Sequence, residues 1–189
     1  MLRSALFTTL LALSVSAGAQ GFDYNYFQLG YSSIDVDQVN VDGDGVSLGG
    51  SFAINENYHV FAGYTSGDLD FNVDYTGWNA GIGYNSALSD KVDAYARLSY
   101  EYAELDVPGF RAFDDDGFCF SVGLRFAATP YVELGAAINY VDLSDSGDDT
   151  GFEARALYNF TDAFAMGLVG EWGDDISVYS LVGRFYFGK

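Results

Sequence analysis

From Phe118 to Ala128 the chain alternates without a break. Phe118, Phe120, Val122, Leu124, Phe126 and Ala128 are apolar, and Cys119, Ser121, Gly123, Arg125 and Ala127 between them are small or polar. A period of two places these sets on opposite faces of a β-strand. The rhythm recurs in Val92, Ala94, Ala96, Leu98, Tyr100 and Tyr102, set against Asp93, Tyr95, Arg97, Ser99 and Glu101. It recurs again in Val132, Leu134, Ala136, Ile138 and Tyr140, set against Glu133, Gly135, Ala137 and Asn139. Followed along the chain, it predicts ten strands, near residues 23–34, 43–55, 57–68, 75–86, 91–105, 117–129, 131–143, 151–160, 163–172 and 176–187. Eight strands is the alternative, should two segments be excursions beyond the wall.

The connections alternate too. Residues 55–57, 86–90, 129–130 and 161–162 are short turns; residues 35–42, 67–74, 106–116 and 144–150 are longer and carry the acid clusters, with 173–175 a short fifth member of that set. An even number of strands with short turns at one end and longer loops at the other describes an all-β fold, a closed antiparallel up-and-down transmembrane β-barrel. Beyond the first twenty residues there is no apolar run of helical length. A membrane-spanning reading therefore requires a closed barrel, which satisfies every backbone polar group within itself.

The first residues read as an export signal. Arg3 is the basic start, Ala5 to Val15 the apolar stretch, and Ala17-Gly18-Ala19 the small-residue cleavage site. The expected division is a signal peptide over residues 1–19 and a barrel domain over 20–189. The lone cysteine, Cys119, follows no apolar leader and supports no lipid anchor.

Three features put the apolar set outside. The polar set is small, as in Gly45, Ser47, Gly49 and Ser51, whereas a solvated exterior is rich in Lys and Glu. Aromatics gather at both strand ends around an aliphatic middle: Tyr84, Tyr158 and Phe187 toward the short turns, Trp78 and Trp172 toward the loops. Two such girdles around an aliphatic band mark a membrane barrel. Mid-strand charges share one parity: Arg97, Arg125, Arg155, Arg184, Glu101, Glu133, Glu153 and Glu171 all fall in the polar set. The expectation is a lumen charge network with the arginines in one layer, because a narrow bore must pair its charges.

These residues resemble the small outer-membrane β-barrel superfamily typified by OmpX and the OmpA transmembrane domain. The strand endings Ala62-Gly63-Tyr64 and Gly81-Ile82-Gly83-Tyr84, with the acidic loops, are similar to small outer-membrane proteins of xanthomonads and related proteobacteria. The resemblance implies residence in the bacterial outer membrane after export to the periplasm. It also implies a final aromatic read by the outer-membrane insertion machinery; here Phe187 precedes Gly188-Lys189.

The formal charge is −19, with 27 acidic residues against eight basic ones, which excludes nucleic acid as a partner because phosphate binding needs basic patches. His59 stands alone in the inward set and reads as a lumen hydrogen-bonding residue; Cys119 reads as a buried space-filler. No catalytic constellation is legible. Asn40, Asp42, Asp44 and Gly45 begin like an EF-hand loop, but its twelfth position is Ser51 instead of Glu. Asp42, Asp44, Asp114, Asp115 and Asp116 remain weak oxygen donors for loosely held Ca²⁺ or Mg²⁺, which would bridge the loops to lipopolysaccharide phosphates; no other cofactor is implied. A mostly plugged bore is expected, widened by its glycines and obstructed by its Arg and Glu side chains, with any water path cation-favouring at the acidic mouth. The leading expectation is a non-enzymatic outer-membrane protein that serves envelope integrity or surface adhesion through its acidic loops. The alternatives are a narrow pore for small ions or solutes and a soluble ligand-binding barrel.

Overall fold

The computed structural model describes residues 22–36, 41–110 and 112–188, which form ten strands. They are β1 Tyr26–Val36, β2 Val41–Ala53, β3 Tyr58–Leu69, β4 Val73–Ser89, β5 Val92–Asp106, β6 Phe113–Ala127, β7 Val132–Leu143, β8 Gly147–Thr161, β9 Phe164–Trp172 and β10 Ile176–Tyr186. Each strand pairs antiparallel with its sequence neighbours, and β1 closes on β10 from Tyr26↔Tyr186 to Val36↔Ile176. The expected signal peptide, Asn40 and Lys189 lie outside the described residues.

Closing a sheet forces strand tilt and a stagger in register. Cross-strand partners traced from Gln28 through β2 to β7 arrive at Gly147 of β8. Traced the other way, through Arg184 and Ala165, they arrive at Asn159 of the same strand. Rows of residues therefore spiral up the wall.

Local chemistry sets the short turns. Asn55 Oδ1 accepts from the backbone N–H of Asn57 and of Tyr58, both at 2.9 Å. Thr129 Oγ1 accepts from Tyr131 N–H at 3.2 Å and Val132 N–H at 3.0 Å. Asn and Thr side chains of this kind hold a turn by replacing backbone partners.

Alternation resolves into two faces. Leu48, Ile82, Leu98, Val122, Leu134, Ile138 and Leu168 point outward and are exposed; Arg125, Arg184 and His59 point inward and are 0% exposed. A continuous apolar band of this extent on the outer wall does not suit a soluble barrel.

Three strand starts differ most from the pattern-based expectation. β1 starts at Tyr26 because the chain ahead of Asn25 leaves the wall and enters the bore, Asn25 itself still holding both neighbouring strands. Asn25 Oδ1 accepts from Ala53 N–H at 3.0 Å, the Asn25 carbonyl accepts from Phe187 N–H at 3.1 Å, and Tyr24 is 1% exposed. At the loop end β6 starts at Phe113 and β8 at Gly147. Asp114, Asp115, Asp116, Asp148 and Asp149 are thus strand residues, since backbone pairing continues through them and alternation with it.

Candidate functional site in the bore and at the rim

The bore has three zones. At the loop end Ile34, Val36, Leu69, Ile176 and Val178 are buried together, with Val41, Val73, Tyr75 and Leu105 packed against them. Beside them Cys119 packs with Ala103, Val141 and Leu143. Small polar side chains follow below, including Ser32 and Ser180, whose hydroxyls lie 2.8 Å apart. The arginines occupy the half nearer the short turns.

Arg125 Nε donates to Glu133 Oε1 at 2.6 Å, its Nη2 pairs with the same oxygen, and its guanidinium lies 4.6 Å from the centre of the Phe22 ring. Arg155 directs Nε and Nη2 at Glu153 Oε1, the Nε bond being 2.7 Å. Arg184 directs the same two nitrogens at Gln28 Oε1, at 2.9 and 2.5 Å, and lies 4.3 Å over the Tyr26 ring. Arg97 lies between the rings of Phe61 and Tyr95, at 4.7 and 5.1 Å. Ion pairs thus join Arg125 to Glu133 and Arg155 to Glu153. Glu101 accepts from the Ser99 hydroxyl at 2.5 Å, away from this layer. Glu171 is buried and sits directly across from Glu153.

His59 stacks on Tyr24 at 4.0 Å, and the Tyr24 hydroxyl donates to Asp93 at 3.4 Å. Phe22 and Tyr24 therefore cap the turn end from inside, beside a cavity of about 340 Å³ lined in part by Phe22, Asn57, Asn85 and Asp93. Sequence reasoning missed Gln28 and Asp93, although both fall in the inward set by parity. It had no signal for Phe22, and it placed Tyr24 within the expected first strand, whereas the observed strand starts at Tyr26.

Gly83 and Gly123 do not widen the bore, contrary to expectation. A Cβ on Gly83 would lie 2.2 Å from His59 Nε2, and one on Gly123 would lie 2.4 Å from Tyr95 Cζ. Each is a seat for a large side chain on the neighbouring strand, so the missing atoms are replaced by imidazole and phenol.

Outside, the girdle residues lie against one another. Tyr84 meets Tyr58, Tyr158 meets Tyr131 and Phe160, and Phe187 stacks on Phe27 at 5.1 Å. At the other end Trp78 contacts Tyr100 and Tyr102, and Trp172 stacks on Phe152 at 5.8 Å and donates Nε1–H to the Tyr179 hydroxyl.

Above this upper girdle the outer wall turns acidic. Asp44, Asp68, Asp74 and Asp106 are direct cross-strand partners on β2 to β5, all exposed. Asp142 and Asp148 form a second such pair on β7 and β8. The Tyr31 hydroxyl donates to Asp44 at 3.1 Å, and that of Tyr102 to Glu104 at 3.0 Å, tying the aromatic belt to the acidic row. Asp42, Asp114 and Asp116 face outward, but Asp115 faces inward. Its carboxylate accepts from Asp145 N–H at 3.1 Å and from Ser146 N–H at 2.8 Å, and so shapes the turn before β8. Among the described residues no three His, Cys, Asp or Glu side chains converge as a metal site.

Residues 5–183 match the outer membrane protein beta-barrel domain family. Among solved structures, the KdgM porin in complex with disordered oligogalacturonate is similar at 10% identity, over 86% of this chain and 99% of its own, with a TM-score of 0.51. The translocator domain of the autotransporter NalP from Neisseria meningitidis is similar at 11% identity, over 86% of this chain and 87% of its own, also at 0.51. The β domain of the Bordetella autotransporter BrkA reaches 0.50 at 13% identity, over 86% of this chain and 99% of its own. At these identities the likeness is one of fold. Among curated proteins none matches the chain.

Proposed function

The chain belongs to the outer membrane protein beta-barrel domain family, and from that premise we propose that it is a non-enzymatic anchor that presents an acidic rim at the cell surface. The observation that carries this reading is the filling of the bore at both ends. The apolar cluster around Ile34, Leu69 and Ile176 occupies the outer end, and Phe22 and Tyr24 occupy the periplasmic one. A hydrophobic constriction resists wetting and hence ion passage. The specialised surface is then the rim, where Asp44, Asp68, Asp74 and Asp106 stand above the aromatic girdle, level with lipid head groups. Like charges on neighbouring strands repel, and so do carboxylates and lipid phosphates. Ca²⁺ or Mg²⁺ shared between the rim and lipopolysaccharide would relieve both, which gives the protein a role in envelope integrity or in surface adhesion. Export by the residue 1–19 signal and assembly by the outer-membrane insertion machinery complete the proposal.

The narrow-pore reading is favoured by the polar middle of the bore and accords with the porin-like fold. Planar bilayers containing the refolded chain decide between them. The anchor reading expects a baseline without steady openings. Sustained, ion-selective conductance would replace it with the pore.

A further inference from the structure

Four arginines project into one half of the bore, and they use one edge of the guanidinium alike. Nε–H and the adjacent Nη2–H form a side-on fork that matches two oxygens of a carboxylate or phosphate. Arg125 points this fork at Glu133, Arg155 at Glu153 and Arg184 at Gln28. Arg97 is 3% exposed, yet its Nε and Nη2 meet no acceptor among the described residues. Its guanidinium lies over the rings of Phe61 and Tyr95, which offer no hydrogen-bond acceptor to the fork.

Buried groups without a partner are of both kinds: Glu101 Oε2 and Asp93 Oδ1 are acceptors, but neither carboxylate is among the leading charges acting on Arg97. The Tyr26 hydroxyl and Arg155 Nη1 are buried without a partner. Tyr26 is within electrostatic range of both Arg97 and Arg155, and those two cations repel each other. Glu101 lies four residues along β5 from Arg97, roughly 13 Å of extended chain, and is engaged with Ser99. A buried guanidinium with no counter-charge is strongly destabilising. Buried donors lacking an acceptor call for an anion.

We propose that the bore binds a small oxyanion, a carboxylate or phosphate group, held by the Nε/Nη2 fork of Arg97 with the Tyr26 hydroxyl and Arg155 Nη1 as further donors. The site is independent of whether the barrel conducts, because it concerns charge balance within the wall.

The mature chain is refolded into detergent micelles, so that access is not limiting, and its heat-modifiable unfolding is followed. Sodium phosphate and sodium acetate are titrated against sodium chloride at constant ionic strength. The expected result is a saturable rise in the midpoint of about 5 °C with one or both oxyanions; the arm that responds identifies the phosphate or carboxylate source. Arg97→Met abolishes the response. Arg97→Lys, which retains the positive charge and lacks the fork, loses it as well and covers the case in which the Met variant fails to fold. An equal rise with chloride, no rise at all, or an undiminished response in Arg97→Lys overturns the proposal.

Discussion

Glu133→Ala tests the internal ion pairs most directly. Arg125 is 0% exposed, its Nε reaches Glu133 Oε1 at 2.6 Å, and its face is covered by Phe22. Removing the carboxylate takes from a fully buried cation the acceptor of its Nε and Nη2 donors, a change that costs about 3–5 kcal/mol. Arg125→Ala acts from the other side, leaving the Glu133 and Asp93 carboxylates without the cation that both of them feel. It also removes the Phe22 contact, a further loss of about 1 kcal/mol. The double variant leaves no stranded cation, so its cost falls short of the two single costs added together, with a coupling of about 2 kcal/mol. Urea unfolding of the refolded chain in detergent, followed by the fluorescence of Trp78 and Trp172, measures all three. Single losses near 1 kcal/mol that simply add would refute the reasoning. They would mean that water in the bore solvates Arg125 as well as Glu133 does.

Two further outcomes follow. Gly83→Ala should destabilise the barrel by about 1–3 kcal/mol through overpacking against His59, and pairing it with His59→Ala should restore most of the loss in the same unfolding assay. Asp68→Asn, which breaks the row between Asp44 and Asp74, should raise the unfolding midpoint at low salt; the gain should disappear in lipopolysaccharide vesicles supplied with Mg²⁺, where wild type is already stabilised.

The period-two pattern by itself determined that the protein is an antiparallel barrel of about ten strands, and with the aromatic girdles and the shared parity of the charges it determined which face meets lipid. Those properties are local: the backbone fixes side-chain alternation, and a membrane demands an apolar exterior, so Leu98 and Arg97 declare their sides wherever the strand lies. Parity also put all four arginines and their glutamates indoors. It could not pair them. Arg125 and Arg155 have carboxylates, Arg184 has the amide of Gln28, and Arg97 has two aromatic rings; those partners depend on the register and stagger that closure imposes. The glycines misled for the same reason. Along one strand Gly83 looks like empty space, and only the β3–β4 register brings His59 over it. Phe22 was illegible, since it precedes the first periodic segment, and Tyr24, inward by parity in the expected strand 23–34, gave no sign that it leaves the wall; their place inside the bore exists only once ten strands have curled around them.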